Sequence, residues 1–194
     1  MSEALTISAT DPATAVGPGK LVLVVGPSGA GKDTLLRLAR LACADDPNIV
    51  FVRRVVTREA SSTEDNEEMT PDSFREASER GAFAVHWKAH GHAYGLPCTI
   101  DDDIGAGRTV VANVSRTVIA ALRRTYANVV VVAVTAPAEV LAARLAMRKR
   151  DSDGNIGQRL TRAVDDVRPD ATIVNVSSAD YHARQLVRII GGGR

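Results

Sequence analysis

The chain has 194 residues, 45% of them hydrophobic, and a formal net charge of +1. That length suits one compact α/β domain with a sizeable core and is too short for two ordinary domains joined by a linker. The near-balanced charge gives no sign of a nucleic-acid-coating or membrane-surface protein.

Met1 to Gly19 is rich in Ala, Thr and Pro, lacks the basic and apolar regions of a secretory leader, and reads as a loose tail. Leu21–Val25 is a continuous β-branched apolar run, the pattern of a strand buried on both faces of a parallel sheet. A glycine-rich loop follows, then a helix from Thr34 to Ala44 with Leu35, Leu36, Leu38, Ala39 and Leu41 at helical spacing. Asp45–Asn48 is a turn, and Ile49 to Val56 reads as a second strand. Ser61 to Thr70 reads as a polar acidic loop, and Pro71 to Arg80 as a helix with Pro in its first turn and Gly81 beyond its end.

Phe83–Trp87, Thr109–Ala112 and Asn128–Thr135 read as further strands, each followed by a helix, two of these starting near Ser115 and Pro137. The polar segment Arg150–Asn155 suits a mobile loop, with a helix expected from Ile156 to Val167. A strand at Thr172–Val176, a helix at Ala179–Ile190 and a tail at 191–194 complete the pattern. The expected fold is α/β, a mostly parallel sheet with helices on both faces, in one domain over residues 20–190. No apolar run is long enough to span a bilayer. Cys43 and Cys98 form no paired motif, so a reducing cytoplasm is the expected compartment.

Gly26-Pro27-Ser28-Gly29-Ala30-Gly31-Lys32 matches the G-x-x-x-x-G-K phosphate loop, directly after a buried strand and before a helix. The glycines let backbone N–H groups converge on an anion, the helix start adds partial positive charge, and Lys32 reaches the β- and γ-phosphates of a nucleoside triphosphate. The residue that ordinarily follows the lysine is a hydroxyl. Here it is Asp33, with Thr34 next. The fourth strand ends at Asn113, where many enzymes of this class keep an aspartate near Mg²⁺. Asp33 is therefore the expected metal-side carboxylate, restoring the missing charge.

Twenty of the 24 basic residues are arginines, which suits phosphate recognition. Arg53, Arg54 and Arg58 lie at and beyond the end of the second strand, on the rim where open α/β sheets bind ligands, and are expected to hold an acceptor phosphate. Arg144 and Arg148 share a helical face, and with Arg150 and Arg159 are expected to cover the transferring phosphoryl group. His86, His90 and His92 lack acidic or cysteine partners nearby and do not read as a metal site.

From Lys20 to Ile190 the chain resembles the guanylate-kinase-like group of P-loop kinases, and within it the ribose 1,5-bisphosphate phosphokinases of bacterial phosphonate degradation. The shared features are the phosphate loop, Thr57-Arg58 with Glu64 six residues on, Tyr94-Gly95, and Arg144 and Arg148 with Arg159-Leu160. The Lys32-Asp33 junction, His86-Trp87, Tyr94-Gly-Leu-Pro97 and Asn113-Val-Ser-Arg116 look like the ribose-bisphosphate kinases, whereas the second arginine of guanylate kinases after Thr-Arg is absent.

The resemblance implies transfer from ATP, with Mg²⁺, to ribose 1,5-bisphosphate, giving ADP and 5-phosphoribosyl 1-diphosphate. It also implies Lys32, Arg144, Arg148 and Arg159 as catalytic residues, and Arg54, Arg58, Glu64 and Tyr94 on the acceptor side. The attacking phosphate oxygen is already anionic, so no general base is implied. A guanylate kinase with an altered acceptor pocket and a silent binding module are the alternatives. The partners implied are small molecules, with no nucleic acid and no membrane, and a homodimer is left open.

Overall fold

The computed structural model describes residues 15–58, 65–148 and 168–192, the side chain of Arg148 excepted. In chain order the elements are β1 (Lys20–Val25), α1 (Lys32–Ala42), β2 (Ile49–Phe51), β3 (Arg54–Val56), β4 (Asn66–Glu68), α2 (Pro71–Glu79), β5 (Phe83–Ala89) and β6 (His92–Pro97). They continue with α3 (Ile100–Gly105), β7 (Thr109–Asn113), a 3₁₀ turn (Arg116–Val118), α4 (Ile119–Thr125), β8 (Val129–Thr135), α5 (Ala138–Arg148), β9 (Ala171–Val174) and α6 (Ala179–Ile190).

Among the described residues the strands form two sheets, a central one of order β2-β7-β1-β8-β9 and a smaller one of order β4-β3-β6-β5. Every neighbouring pair in the central sheet is parallel. β1 explains the two-sided core. Leu21, Leu23 and Val25 pack on one face with Ile104, Ile119 and Leu122. Val22 and Val24 pack on the other with Leu35, Ala39 and Leu186. Successive side chains of a strand point to opposite faces, so a central strand covered on both sides has to be apolar at every position.

The structure corrects several sequence expectations. The run Ile49 to Val56 is two strands in different sheets: β2 pairs with β7, whereas β3 pairs with β4 and β6. The chain leaves the central sheet after Val52, whose N–H still donates to Val111 O at 3.0 Å. Phe83–Trp87 extends to Ala89 and is followed by a strand, not a helix, because β5 and β6 form a hairpin in which Ala89 pairs with His92. His90 and Gly91 both have positive φ, 53° and 78°, as a primed two-residue turn demands. Within the expected acidic loop Asn66–Glu68 forms β4.

The expected loose tail is anchored from Val16, which bridges to Tyr126, while Gly19 N donates to Ile104 O at 2.8 Å. Helix α2 begins as read, with Thr70 accepting from Ser73 N at 3.2 Å and Pro71 at the first turn. The expected segment 150–155 and helix 156–167 lie outside the described residues. Among the described residues no helix is long and apolar enough to cross a membrane.

Candidate active site

The glycine loop runs from the carboxyl end of β1 to the start of α1, and its backbone accounts for its glycines. Gly26 has φ 147°, and a Cβ there would lie 1.9 Å from Val134 O. Gly31 has φ 89° and caps α1, and a Cβ there would lie 2.3 Å from Asn175 Nδ2. No side chain caps the first turn of α1, so the amides of that turn remain available to an anion. Lys32 Nζ donates to the carbonyls of Gly26 at 2.8 Å and Pro27 at 3.0 Å, and so lies along the loop it serves.

Two side chains from outside the loop fix it. Asn175, buried just past β9, donates through Nδ2 to Ala30 O at 2.8 Å. Its own N–H donates to Thr135 O at 2.7 Å, which ties it to the end of β8. Arg144 on α5 donates to Asn175 O at 3.0 Å and Gly29 O at 3.4 Å. Sequence reading missed Asn175. A polar residue directly after an apolar strand, on the same sheet edge as the phosphate loop, was the available signal.

On the opposite side of the loop Asp33 and Asn113 meet. The register places Asn113 at the end of β7 beside Val24, and its Nδ2 donates to Asp33 Oδ1 at 3.0 Å. This pair lines a cleft of about 370 Å³ bounded by α1, by β2 and β7 of the central sheet and by the smaller sheet. Arg37 and Arg40 line it from α1, and Arg54, Asp65 and Asn66 from the other wall. Sequence reading overlooked Arg37 and Arg40, although positions 33, 37 and 40 share one helical face.

Arg54 Nε donates to Asn66 Oδ1 at 3.3 Å, and its guanidinium lies 5.8 Å from the centre of the Tyr94 ring. Tyr94 is buried and stacks on Trp87 at 5.6 Å, and its hydroxyl accepts from Arg58 Nε at 3.4 Å. Tyr94 and Arg58 are not among the residues that line the cleft, while Arg54 is. The structure thus brings Asp33, Asn113 and Arg54 to one cleft, with Lys32 at the end of the adjoining loop and Arg144 bonded to that loop from α5. Glu64 and Arg159, with the side chain of Arg148, lie outside the described residues.

His86 has a packing role. It shares a hydrogen bond of 3.1 Å with Ser78 Oγ and meets Phe74 edge-on. Burial, then the charge of Lys88, lowers its pKa below the usual histidine value. Among the described residues no group of three or more His, Cys, Asp or Glu is placed to hold a metal.

No family model matches the chain. It is 66% identical over 192 residues to a ribose 1,5-bisphosphate phosphokinase of Bradyrhizobium diazoefficiens, covering 98% of this chain and 96% of that one. It is 65% identical over 179 residues to the enzyme of the same name from Rhodopseudomonas palustris, covering 92% of each. Among solved structures it is similar to a guanylate kinase from Anaplasma phagocytophilum, with a TM-score of 0.64 and 21% identity over 92% of this chain and 87% of that one. That likeness shows a guanylate-kinase-like α/β fold, the architecture expected of the phosphate loop. By its identity to these relatives over nearly its whole length, the chain belongs to the ribose 1,5-bisphosphate phosphokinase family.

Proposed function

We propose that this chain transfers the γ-phosphoryl group of ATP to the 1-phosphate of ribose 1,5-bisphosphate, releasing ADP and 5-phosphoribosyl 1-diphosphate in the cytoplasm. The carrying observation is the cleft beside the phosphate loop that Asp33 and Asn113 line together with Arg37, Arg40 and Arg54. In the transfer an oxygen of the 1-phosphate forms a bond to the γ-phosphorus as the bond to the β,γ-bridging oxygen breaks. The attacking oxygen carries no proton, so alignment and charge neutralisation account for the rate.

The loop from Gly26 to Gly31, with Lys32 and the first turn of α1 through Thr34, binds the triphosphate. Arg144 orients that loop through the carbonyls of Gly29 and Asn175. Arg54 faces the acceptor, and Tyr94, outside the cleft lining, contacts both Arg54 and Arg58.

The donor set fits Mg²⁺, which commonly takes one or two carboxylates together with substrate phosphates. Asp33 supplies a carboxylate whose orientation Asn113 fixes, and no lysine or arginine among the described residues pairs with it. When bound with ATP, the ion neutralises phosphate charge. Asp33→Ser is expected to raise the Mg²⁺ concentration for half-maximal rate by on the order of tenfold. An unchanged Mg²⁺ titration would remove Asp33 from the metal's surroundings.

The reading is tested by ADP release from Mg·ATP with ribose 1,5-bisphosphate and GMP offered separately and the products identified. Turnover is expected with the sugar bisphosphate, giving a product with a 1-diphosphate. Turnover with GMP alone would make the protein a guanylate kinase.

A further inference from the structure

Three arginines, Arg37, Arg40 and Arg54, line the cleft, and Asp65, which also lines it, engages Arg40 together with Arg53, which reaches that carboxylate from outside the lining. Asp65 accepts from Arg40, on α1, and from Arg53 Nε at 2.7 Å. Arg53 also donates to Asn66 O at 3.1 Å. These side chains are about half exposed, at 49%, 52% and 51% for Arg40, Arg53 and Asp65, and pairs so exposed add little to stability. As a structural latch the arrangement is therefore weak. As a way of converging two guanidiniums on two oxygens of one anion, it has the geometry of a phosphate site.

Arg37 lines the same cleft one helical turn closer to Asp33, and it has no hydrogen bond or ion pair among the described residues. The spacing along α1 sets the scale. At 1.5 Å per residue, Arg37 is roughly 6 Å and Arg40 roughly 10 Å from Asp33 along the axis. An acceptor whose reacting phosphate lies beside Lys32 and Asp33 has its other end, a sugar's length away, among these arginines.

We propose that Arg37, Arg40 and Arg53 form a second phosphate subsite, for the acceptor phosphate that does not react, and that Asp65 occupies it in the empty cleft until that phosphate displaces it. The inference rests on the acceptor being a sugar with phosphates at both ends. A phosphate monoester has more charge and more acceptor oxygens than a carboxylate, so exchange favours the substrate. The subsite selects against acceptors with a single phosphate, which leave it unfilled.

The test uses ribose 5-phosphate, which carries the distal phosphate and lacks the reacting one, titrated by calorimetry into the full-length protein and its variants. Arg37→Gln and Arg40→Gln are expected to weaken its binding about 30-fold and to raise KM for ribose 1,5-bisphosphate by a similar factor. KM for ATP and the melting temperature should stay near their original values, with kcat falling less than about threefold. Asp65→Asn is expected to tighten ribose 5-phosphate binding about fivefold, because a competing internal anion is removed. A merely structural Asp65 predicts the opposite sign, and weaker binding in that variant would overturn the proposal. Binding unchanged in both arginine variants would overturn it as well. Should the unaltered protein fail to phosphorylate ribose 1,5-bisphosphate, the functional reading falls, and the ribose 5-phosphate titrations still decide the subsite.

Discussion

Lys32→Met is expected to lower kcat by about a thousandfold while leaving the melting temperature within a few degrees, as measured by coupled ADP release and thermal unfolding. The two parts of the prediction have different origins. Lys32 Nζ is held by the carbonyls of Gly26 and Pro27, two bonds in a partly buried place, so a chain of similar length can occupy its path at small cost in stability. The ammonium is a fixed positive charge beside the phosphates, and it gains most where charge develops in transfer. Removing one such preorganised donor typically costs a hundred- to a thousandfold. A loss below about tenfold would show that charge at the γ-phosphate is neutralised elsewhere, with Arg144, which reaches the loop from α5, one described candidate.

Gly26→Ala is expected to act through the backbone. The added methyl would lie 1.9 Å from Val134 O, and φ of 147° is one that side chains rarely adopt. The obstacle is main chain in the neighbouring β8, which no rotamer change relieves. The protein should lose about 3 kcal/mol of stability or more, a fall in melting temperature of roughly 10 °C, and bind ATP poorly wherever it remains folded. Gly31→Ala provides the comparison, because its clash is with the Asn175 side chain at 2.3 Å. Equal melting temperatures for Gly26→Ala and the unaltered protein would mean that the loop can be rebuilt without its first glycine.

The central unit was legible because each of its signals was local. The apolar run of β1, the glycines and lysine after it, and the amphipathic stretch that became α6 at Ala179–Ile190 need no distant partner to be read. The smaller sheet was not legible in that way. Ile49–Phe51 and Val55–Val56 are both apolar and strand-like, and the change of sheet between them carries no glycine or proline. The β5–β6 hairpin was hidden by its turn, in which His90 takes a position usually given to Asn or Asp.

The site shows the same division. Lys32 and Asp33 follow from the loop motif, and Arg54 from the strand end. Tyr94 was expected to contact the acceptor, whereas its ring, stacked on Trp87, lies against the Arg54 guanidinium. Arg37 and Arg40 required only the helical period. They were missed because that helix was read for its buried leucines and not for its other face.

Val52 and Arg53 alone connect β2 in the central sheet to β3 in the smaller one. A tether this short keeps the two walls of the cleft at a high effective concentration with respect to each other. The configurational entropy of bringing arginines from α1 opposite Arg53 and Arg54 is therefore surrendered once, when the chain folds, and not again at each encounter with substrate. Lengthening that tether with a few glycines would convert an already assembled recognition surface into one that each acceptor has to gather for itself.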